Sequence, residues 1–306
     1  MEFLYFFESI RMPWLDSIVL ALTELGGETV FLATALVLFW CVDKRQAYYM
    51  MSVGFIGTIA SQFMKITCRV PRPWVRDPEF TIVEAAREGA GGYSFPSGHS
   101  QSSVGTFGAM AATAKNRWLK VFSICVCVIV PLTRMYLGVH TPADVLAGSG
   151  ISLALIVLLY PVFYRRDGKY IPVLFIGMSV LAVVYALFIE FFPFPAGIDP
   201  ENLHSAEKNA YTLLGAMVGM TVVYFYDEKK LRFSTKAEWY VQLIKVVGGL
   251  ILVLAVKEGM KAPLDALCGG HLVARSIRYC LVVLVAGIVW PLNFPRFAAI
   301  GRKERK

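Results

Sequence analysis

The sequence predicts an all-α protein, a multi-pass transmembrane helical bundle of about nine spans, and three observations lead there. Hydrophobic residues make up 57% of the 306-residue chain and its mean hydropathy is +0.58, values typical of polytopic membrane proteins. Apolar stretches of near-crossing length recur from residue 28 to residue 295. Lysine and arginine gather in alternate loops, as the positive-inside bias requires.

Residues 1–16 are aromatic and lightly charged, with Phe3, Tyr5, Phe6, Phe7 and Trp14, and read as an interfacial segment. No basic n-region or small-residue cleavage site precedes Asp16, so a cleaved leader is not expected. Ser17 to Leu25 is apolar apart from Glu24 and reads as a short or re-entrant helix. Spans are then expected near 28–42, 46–64, 100–114, 118–137, 143–164, 170–190, 208–226, 239–257 and 279–295. Gly54, Gly57, Ala60 and Ser61, then Gly105, Gly108, Ala109 and Ala112, allow close helix approach. Gly215 and Gly219 form a G-x-x-x-G pattern, read as packing within the chain rather than as a dimer interface.

Placing residues 43–46 in the cytoplasm puts 115–120, 165–169, 227–238 and 296–306 there too. Those segments hold 17 of the 30 basic residues, including Arg166, Arg302, Lys303, Arg305 and Lys306. Lys208, Lys245 and Lys257 sit in or at span ends, where they can snorkel. The net charge of +8 is thus accounted for by membrane topology, and no nucleic-acid partner is expected. The C-terminus falls in the cytoplasm, and loop 65–99 and residues 133–144 share the opposite face. Of the six cysteines none forms C-x-x-C or zinc spacing. They read as packing residues, although Cys268 and Cys280 could pair in an oxidising compartment.

Three clusters on the outer face carry chemistry. Arg134, His140 and Asp144 lie between two apolar runs, where ionisable residues are costly and mark function. Thr141 and Pro142 read as N-cap and first residue of a helix. Asp144 then admits two readings: a capping-box acid, or the carboxylate that holds one nitrogen of His140 and sharpens the other as a nucleophile. Lys65 and Arg72 offer a point charge and a fork for phosphoryl oxygens. Pro96-Ser97-Gly98-His99 opens a helix whose free N–H groups suit an anion. Three converging cations require an anion among them, and a phosphate group, at about −1.5 to −2, fits. No acidic cluster suggests a metal, and no cofactor is expected.

Lys65-x6-Arg72-Pro73, Pro96-Ser97-Gly98-His99 and Arg134-x5-His140-x3-Asp144 resemble the three signature motifs of the type-2 phosphatidic acid phosphatase superfamily. Thr133 stands where that family usually has Ser. The resemblance spans roughly residues 15–165 and implies a six-helix-type phosphatase core in 1–166, with three extra spans in 167–306. It implies that His140 attacks phosphorus, Asp144 orients it, and His99 protonates the leaving group and later activates water. Lys65, Arg72, Arg134, Ser97 and Gly98 would then hold the phosphoryl oxygens. It further implies metal-independent hydrolysis of a lipid phosphate at the extracytoplasmic face of the cell membrane, the substrate being phosphatidate, sphingosine phosphate or a prenyl pyrophosphate. Trp74, Phe80, Tyr93 and Phe95 would either pack on a lipid chain or anchor their loop at the interface. A lipid-phosphate transporter or flippase, and a membrane scaffold, are the rival classes.

Overall fold

The structure, a computed structural model, describes residues 1–165 and 168–297. Arg166, Arg302, Lys303, Arg305 and Lys306, counted above toward the cytoplasmic side, lie outside the described residues, as does the expected core boundary at 166 and 167. Among the described residues every regular element is helical. Among them five helices are long and apolar enough to cross a membrane: Arg117–Tyr136, Pro142–Tyr164, Ile171–Phe191, Trp239–Leu267 and Val273–Phe297. A sixth span arises if Pro13–Gly26 and Glu28–Val42, bent by 50° at their junction, count as one.

The remaining expected spans are helical as well, as Lys44–Cys68, Gly98–Thr113 and Pro200–Tyr226, but the first and last are long without being apolar enough to count as crossings, and Gly98–Thr113 is short. The reason is visible in Gly98–Thr113. Ten of its 16 residues are buried, so glycine, serine and alanine serve packing where a lipid-facing helix would need bulk. At 16 residues it rises roughly 24 Å, short of the ~30 Å hydrocarbon layer.

The chain divides into two compact units, each assembled from separate stretches. The first comprises Met1–Leu32, Tyr49–Pro161 and Phe194–Ala206. It opens with α1 (Glu2–Ser9) and α2 (Pro13–Thr23), the latter started by Pro13 at a position that needs no donor. A tight turn, Glu24–Gly26, leads into the first half of α3 (Glu28–Val37). Then come most of α4 (Lys44–Cys68), the short α5 (Pro73–Arg76), α6 (Gly98–Thr113), α7 (Arg117–Tyr136) and most of α8 (Pro142–Tyr164). Asn116 starts α7, its side-chain oxygen accepting from the amides of Trp118 (2.8 Å) and Leu119 (3.3 Å).

Small residues let these helices close up as expected. A Cβ on Gly108 of α6 would stand 2.6 Å from Ile156 Cδ1 of α8, and one on Gly54 of α4 would meet the Phe31 ring. Leu4 of α1 is buried with Phe80, Ile82, Met135 and Val145, and Tyr5 Oη donates to Asp77 at 2.9 Å. The amino-terminal helix thereby clamps the 74–83 loop through one face and leaves Phe3 and Phe6 exposed on the other.

The second unit comprises Ala33–Tyr48, Val162–Pro193 and the chain from Glu207 onward. It contains α9 (Ile171–Phe191), most of α10 (Pro200–Tyr226), α11 (Trp239–Gly259), α12 (Lys261–Leu267) and α13 (Val273–Leu284). The G-x-x-x-G pattern packs within the chain. Gly215 abuts the Ser276 backbone of α13, and a Cβ on Gly219 would lie 3.2 Å from the Cys280 carbonyl. Lys245 reaches back toward the loop that precedes α11. It is almost fully buried and donates to the carbonyls of Ser234 (3.3 Å) and Thr235 (3.4 Å), over the Phe294 ring. All six cysteines, Cys268 and Cys280 included, are free thiols.

Candidate active site

The three motifs meet in the first unit, and each is delivered by a helix end. Lys65 lies in the last turn of α4, which breaks at Arg69 in a left-handed conformation (φ 50°). The reversal places Arg72 at the start of α5, with Pro73 as its first helical residue. Both side chains are buried and reach a strap of backbone at Gly91–Tyr93. Lys65 Nζ donates to the Tyr93 carbonyl. Arg72 donates from Nε to Gly92 O (3.0 Å), from Nη2 to Gly91 O (2.8 Å) and from Nη1 to Val139 O (2.9 Å). Its Nη1 also stands 3.0 Å from His140 Nε2.

The strap continues into the second motif. Ser94 N donates to Val70 O at 2.8 Å, and Ser97 N to the Asp144 carbonyl at 2.9 Å. Ser97 is the N-cap of α6, accepting from Ser100 N at 3.4 Å. A Cβ on Gly98 would meet no atom within 4 Å, so that flank of the helix start stands open. Gly148 of α8 lacks a Cβ because the Ser97 carbonyl occupies its place. His99, in the first turn of α6, is half-buried, and its ring makes no hydrogen bond among the described residues.

The third motif spans the α7–α8 junction. Gly138 turns the chain with φ +80°, a conformation only glycine adopts freely, and it is pressed by Arg11 and Phe80. Thr141 and Asp144 form a reciprocal capping box. Thr141 N donates to Asp144 Oδ2 at 2.7 Å, and Asp144 N to Thr141 Oγ1 at 3.3 Å. His140 Nδ1 stands 3.6 Å from the same Oδ2. The carboxylate is thus a helix cap, as the first reading has it, and it lies beside the imidazole without a hydrogen bond to it.

Arg134, in the last turn of α7, is almost fully buried. Its Nη1 donates to Thr23 Oγ1 at 2.9 Å, while Nε and Nη2 are buried without a partner. Each buried unpaired donor costs about 1–3 kcal/mol. An anion would satisfy them.

Electrostatics sets the protonation of His140. Burial first, then the positive charges of Arg72, Lys65 and Arg134 and the neighbouring His99, hold its pKa well below the usual histidine value. The ring is thus a neutral imidazole at neutral pH, with a lone pair available. Burial also lowers Arg72, to about 10, against the opposing pull of Asp144. Arg72 is still a cation at neutral pH.

The structure accordingly brings together Lys65, Arg72, His99, Arg134, His140 and Asp144, with Ser97 and Gly98 at the mouth of α6. Sequence reasoning missed three contributors. Ser94, fully buried, donates from Oγ to Asp144 Oδ2 at 2.6 Å. Thr23 anchors Arg134. Gly26 lets its turn rest on α6, since a Cβ there would lie 2.8 Å from the His99 carbonyl. The signal for Thr23 was a hydroxyl inside an apolar run, and no spacing marked the other two. The aromatic loop also differs from expectation. Phe80 is buried against Leu4, Met135 and Val145, so its ring is turned into the protein and is not open to a lipid chain. Trp74 is flanked by Arg72 and Arg87, at 5.8 and 5.1 Å from its ring.

Residues 44–167 match the PAP2 superfamily, and residues 211–303 match its companion, the PAP2 superfamily phosphatase transmembrane extension. The chain therefore carries a PAP2 superfamily domain, followed by that superfamily's transmembrane extension. Among its relatives in the superfamily is sphingosine-1-phosphate phosphatase 1 of Rattus norvegicus, 24% identical over 267 residues, 78% of this chain and 58% of that protein. The lipid A 4'-phosphatase of Bacteroides thetaiotaomicron is 28% identical over 160 residues, 48% of this chain and 69% of that protein. The undecaprenyl-diphosphatase of Sulfolobus acidocaldarius is 26% identical over 140 residues, 45% of this chain and 66% of that protein. The chain thus spans 58% of the length of the rat relative. No solved structure matches it. Both PAP2 matches leave out α1, α2 and the turn at Glu24–Gly26, although Thr23 and Gly26 help to build the site.

Proposed function

We propose that this protein hydrolyses the phosphate monoester or pyrophosphate of a membrane lipid, without a metal, through a phosphohistidine at His140. The observation that carries the reading is a neutral buried imidazole set between Asp144 and Arg72, beside an arginine with two unsatisfied N–H groups. Arg72 Nη1 covers the Nε2 lone pair. An incoming phosphoryl oxygen takes over that donor and frees the lone pair.

Burial, then Arg134, Arg72 and Lys65, hold the pKa of His99 at about 3, and a bound phosphate dianion offsets those charges, so His99 takes up a proton with the substrate. Nε2 then attacks phosphorus as the P–O bond to the lipid breaks, and His99 gives that proton to the leaving alkoxide. In the second step His99 takes a proton from water. The resulting hydroxide attacks phosphorus, the P–N bond breaks, and His140 and inorganic phosphate are released. Asp144 balances the charge on His140 while the phosphohistidine exists. Lys65, Arg72 and Arg134, with Ser97 and the amide at Gly98, meet the charge on the phosphoryl oxygens.

The relatives' names point to sphingosine 1-phosphate, lipid A or undecaprenyl diphosphate, all lipid-borne phosphates. In this reading the chain crosses the bilayer nine times, with the site on the extracytoplasmic face and the C-terminus in the cytoplasm. Residues 1–166 act as the phosphatase core and the later helices as its extension.

The test is phosphate release in detergent from phosphatidate, sphingosine phosphate, phosphatidylglycerol phosphate, undecaprenyl pyrophosphate and glucose 6-phosphate. Wild type with and without EDTA is compared with His140→Ala. Release from a lipid substrate that survives chelation and disappears in His140→Ala is expected. Lipid bound but left intact by wild type would instead indicate a transporter, and full loss in EDTA would overturn the metal-independent route.

A further inference from the structure

Arg134 has five N–H donors on a rigid plane. The Nη1 corner is occupied by the Thr23 hydroxyl, at 2.9 Å. The two groups left buried and unpartnered, Nε and Nη2, lie along one edge of that plane. This edge meets two oxygens of a phosphate side by side. Thr23 is itself buried, and it ends α2, from which the chain passes directly into the turn that Gly26 seats against the His99 carbonyl.

We infer that Thr23 is a positioning residue: its hydroxyl pins the far corner of the Arg134 guanidinium, so that the Nε–Nη2 edge is presented as a fixed two-pronged clamp to the phosphoryl group. The inference rests on the proposed phosphohydrolase reading, and it adds a determinant that none of the three motifs contains. The helix pair broken at residue 27 is then part of the anion site, beyond its place in the bundle. Without the hydroxyl, Arg134 keeps its charge but loses its orientation. A clamp that must fit the crowded, five-coordinate phosphorus suffers more from this than one that only attracts an anion.

The test uses the full chain in detergent, comparing wild type with Thr23→Val, which keeps the shape and removes the hydroxyl, and with Thr23→Ser, which restores it. We expect Thr23→Val to lower kcat/KM by roughly tenfold to a hundredfold, the scale of one lost hydrogen bond to a charged group. Thr23→Ser should stay within about threefold of wild type. Inhibition by orthovanadate, which adopts the five-coordinate geometry, should weaken more than inhibition by inorganic phosphate. A loss of folded protein would leave both inhibition constants unmoved. In an Arg134→Lys background, Thr23→Val should add little.

Anion binding is also read without turnover, as the rise in melting temperature with each anion. Wild type that binds vanadate but hydrolyses nothing would overturn the phosphatase reading while Thr23→Val still tests the clamp. Wild-type affinities in Thr23→Val, or full additivity with Arg134→Lys, would overturn the inference. Wild type that binds neither anion would overturn both. Should Thr23→Val not fold, Thr23→Ala carries the same expectations.

Discussion

Removing the Ser94 hydroxyl tests whether Asp144 acts through its hold on His140. Ser94 and Asp144 are both buried, and their Oγ–Oδ2 separation of 2.6 Å is that of a charge-assisted hydrogen bond. Such a bond contributes about 1.5–3 kcal/mol. The same Oδ2 also receives Thr141 N at 2.7 Å and stands 3.6 Å from His140 Nδ1. In Ser94→Ala the carboxylate keeps its role as a helix cap but loses one of the two short bonds that set its angle. If that loss passes wholly to the imidazole, kcat falls roughly tenfold to a hundredfold, at about 1.4 kcal/mol per factor of ten. KM should change little, because Ser94 touches Asp144 and not the phosphoryl oxygens. The assay is lipid-phosphate hydrolysis in detergent, with a melting curve to confirm folding. A folded Ser94→Ala protein with kcat within twofold of wild type, or with its whole defect in KM, would refute the argument.

Three further outcomes are expected. His140 is held neutral well below the usual histidine value, whereas in the unfolded chain it takes up a proton near pH 6.5. The folded state therefore loses stability as pH falls below about 6.5, and the melting temperature should drop less between pH 7 and pH 5 in His140→Asn than in wild type. Gly26→Ala should impair hydrolysis at least tenfold, because its Cβ would stand 2.7 Å from Val130 and 2.8 Å from the His99 carbonyl and must push the start of α6 away. A Gly26→Ala enzyme with full activity would show that this contact is slack. Gly215→Ala should lower the melting temperature by destabilising the α10–α13 contact by about 1–3 kcal/mol, while the kinetics of the protein that stays folded are unchanged.

Membrane residence, the approximate placing of the helices and the motif residues were legible in the chain itself. Apolar run lengths, helix caps and the Arg134–His140–Asp144 spacing are local properties, and a local property is written where it acts. The capping box at Thr141 and Asp144 was readable for that reason, because its partners lie three residues apart. Membrane crossings were less legible. α6 and α10 are helical where expected but lack the length or hydropathy of a lipid-facing span, since helices buried against one another take small and polar residues.

The tertiary structure alone decided which backbone and which hydroxyls complete the site. Thr23 and Arg134 are 111 residues apart, and Ser94 and Asp144 are 50 apart. Neither pair leaves a pattern in the sequence, because a hydrogen bond across helices depends on how those helices pack. The fate of Phe80 turned on the same thing: an aromatic in a loop becomes core only once α1 is laid across it. The sequence determined which charges this protein keeps at the ends of its apolar helices. Packing determined how they are aimed, because a charge is a property of one residue and a direction is a property of everything that touches it.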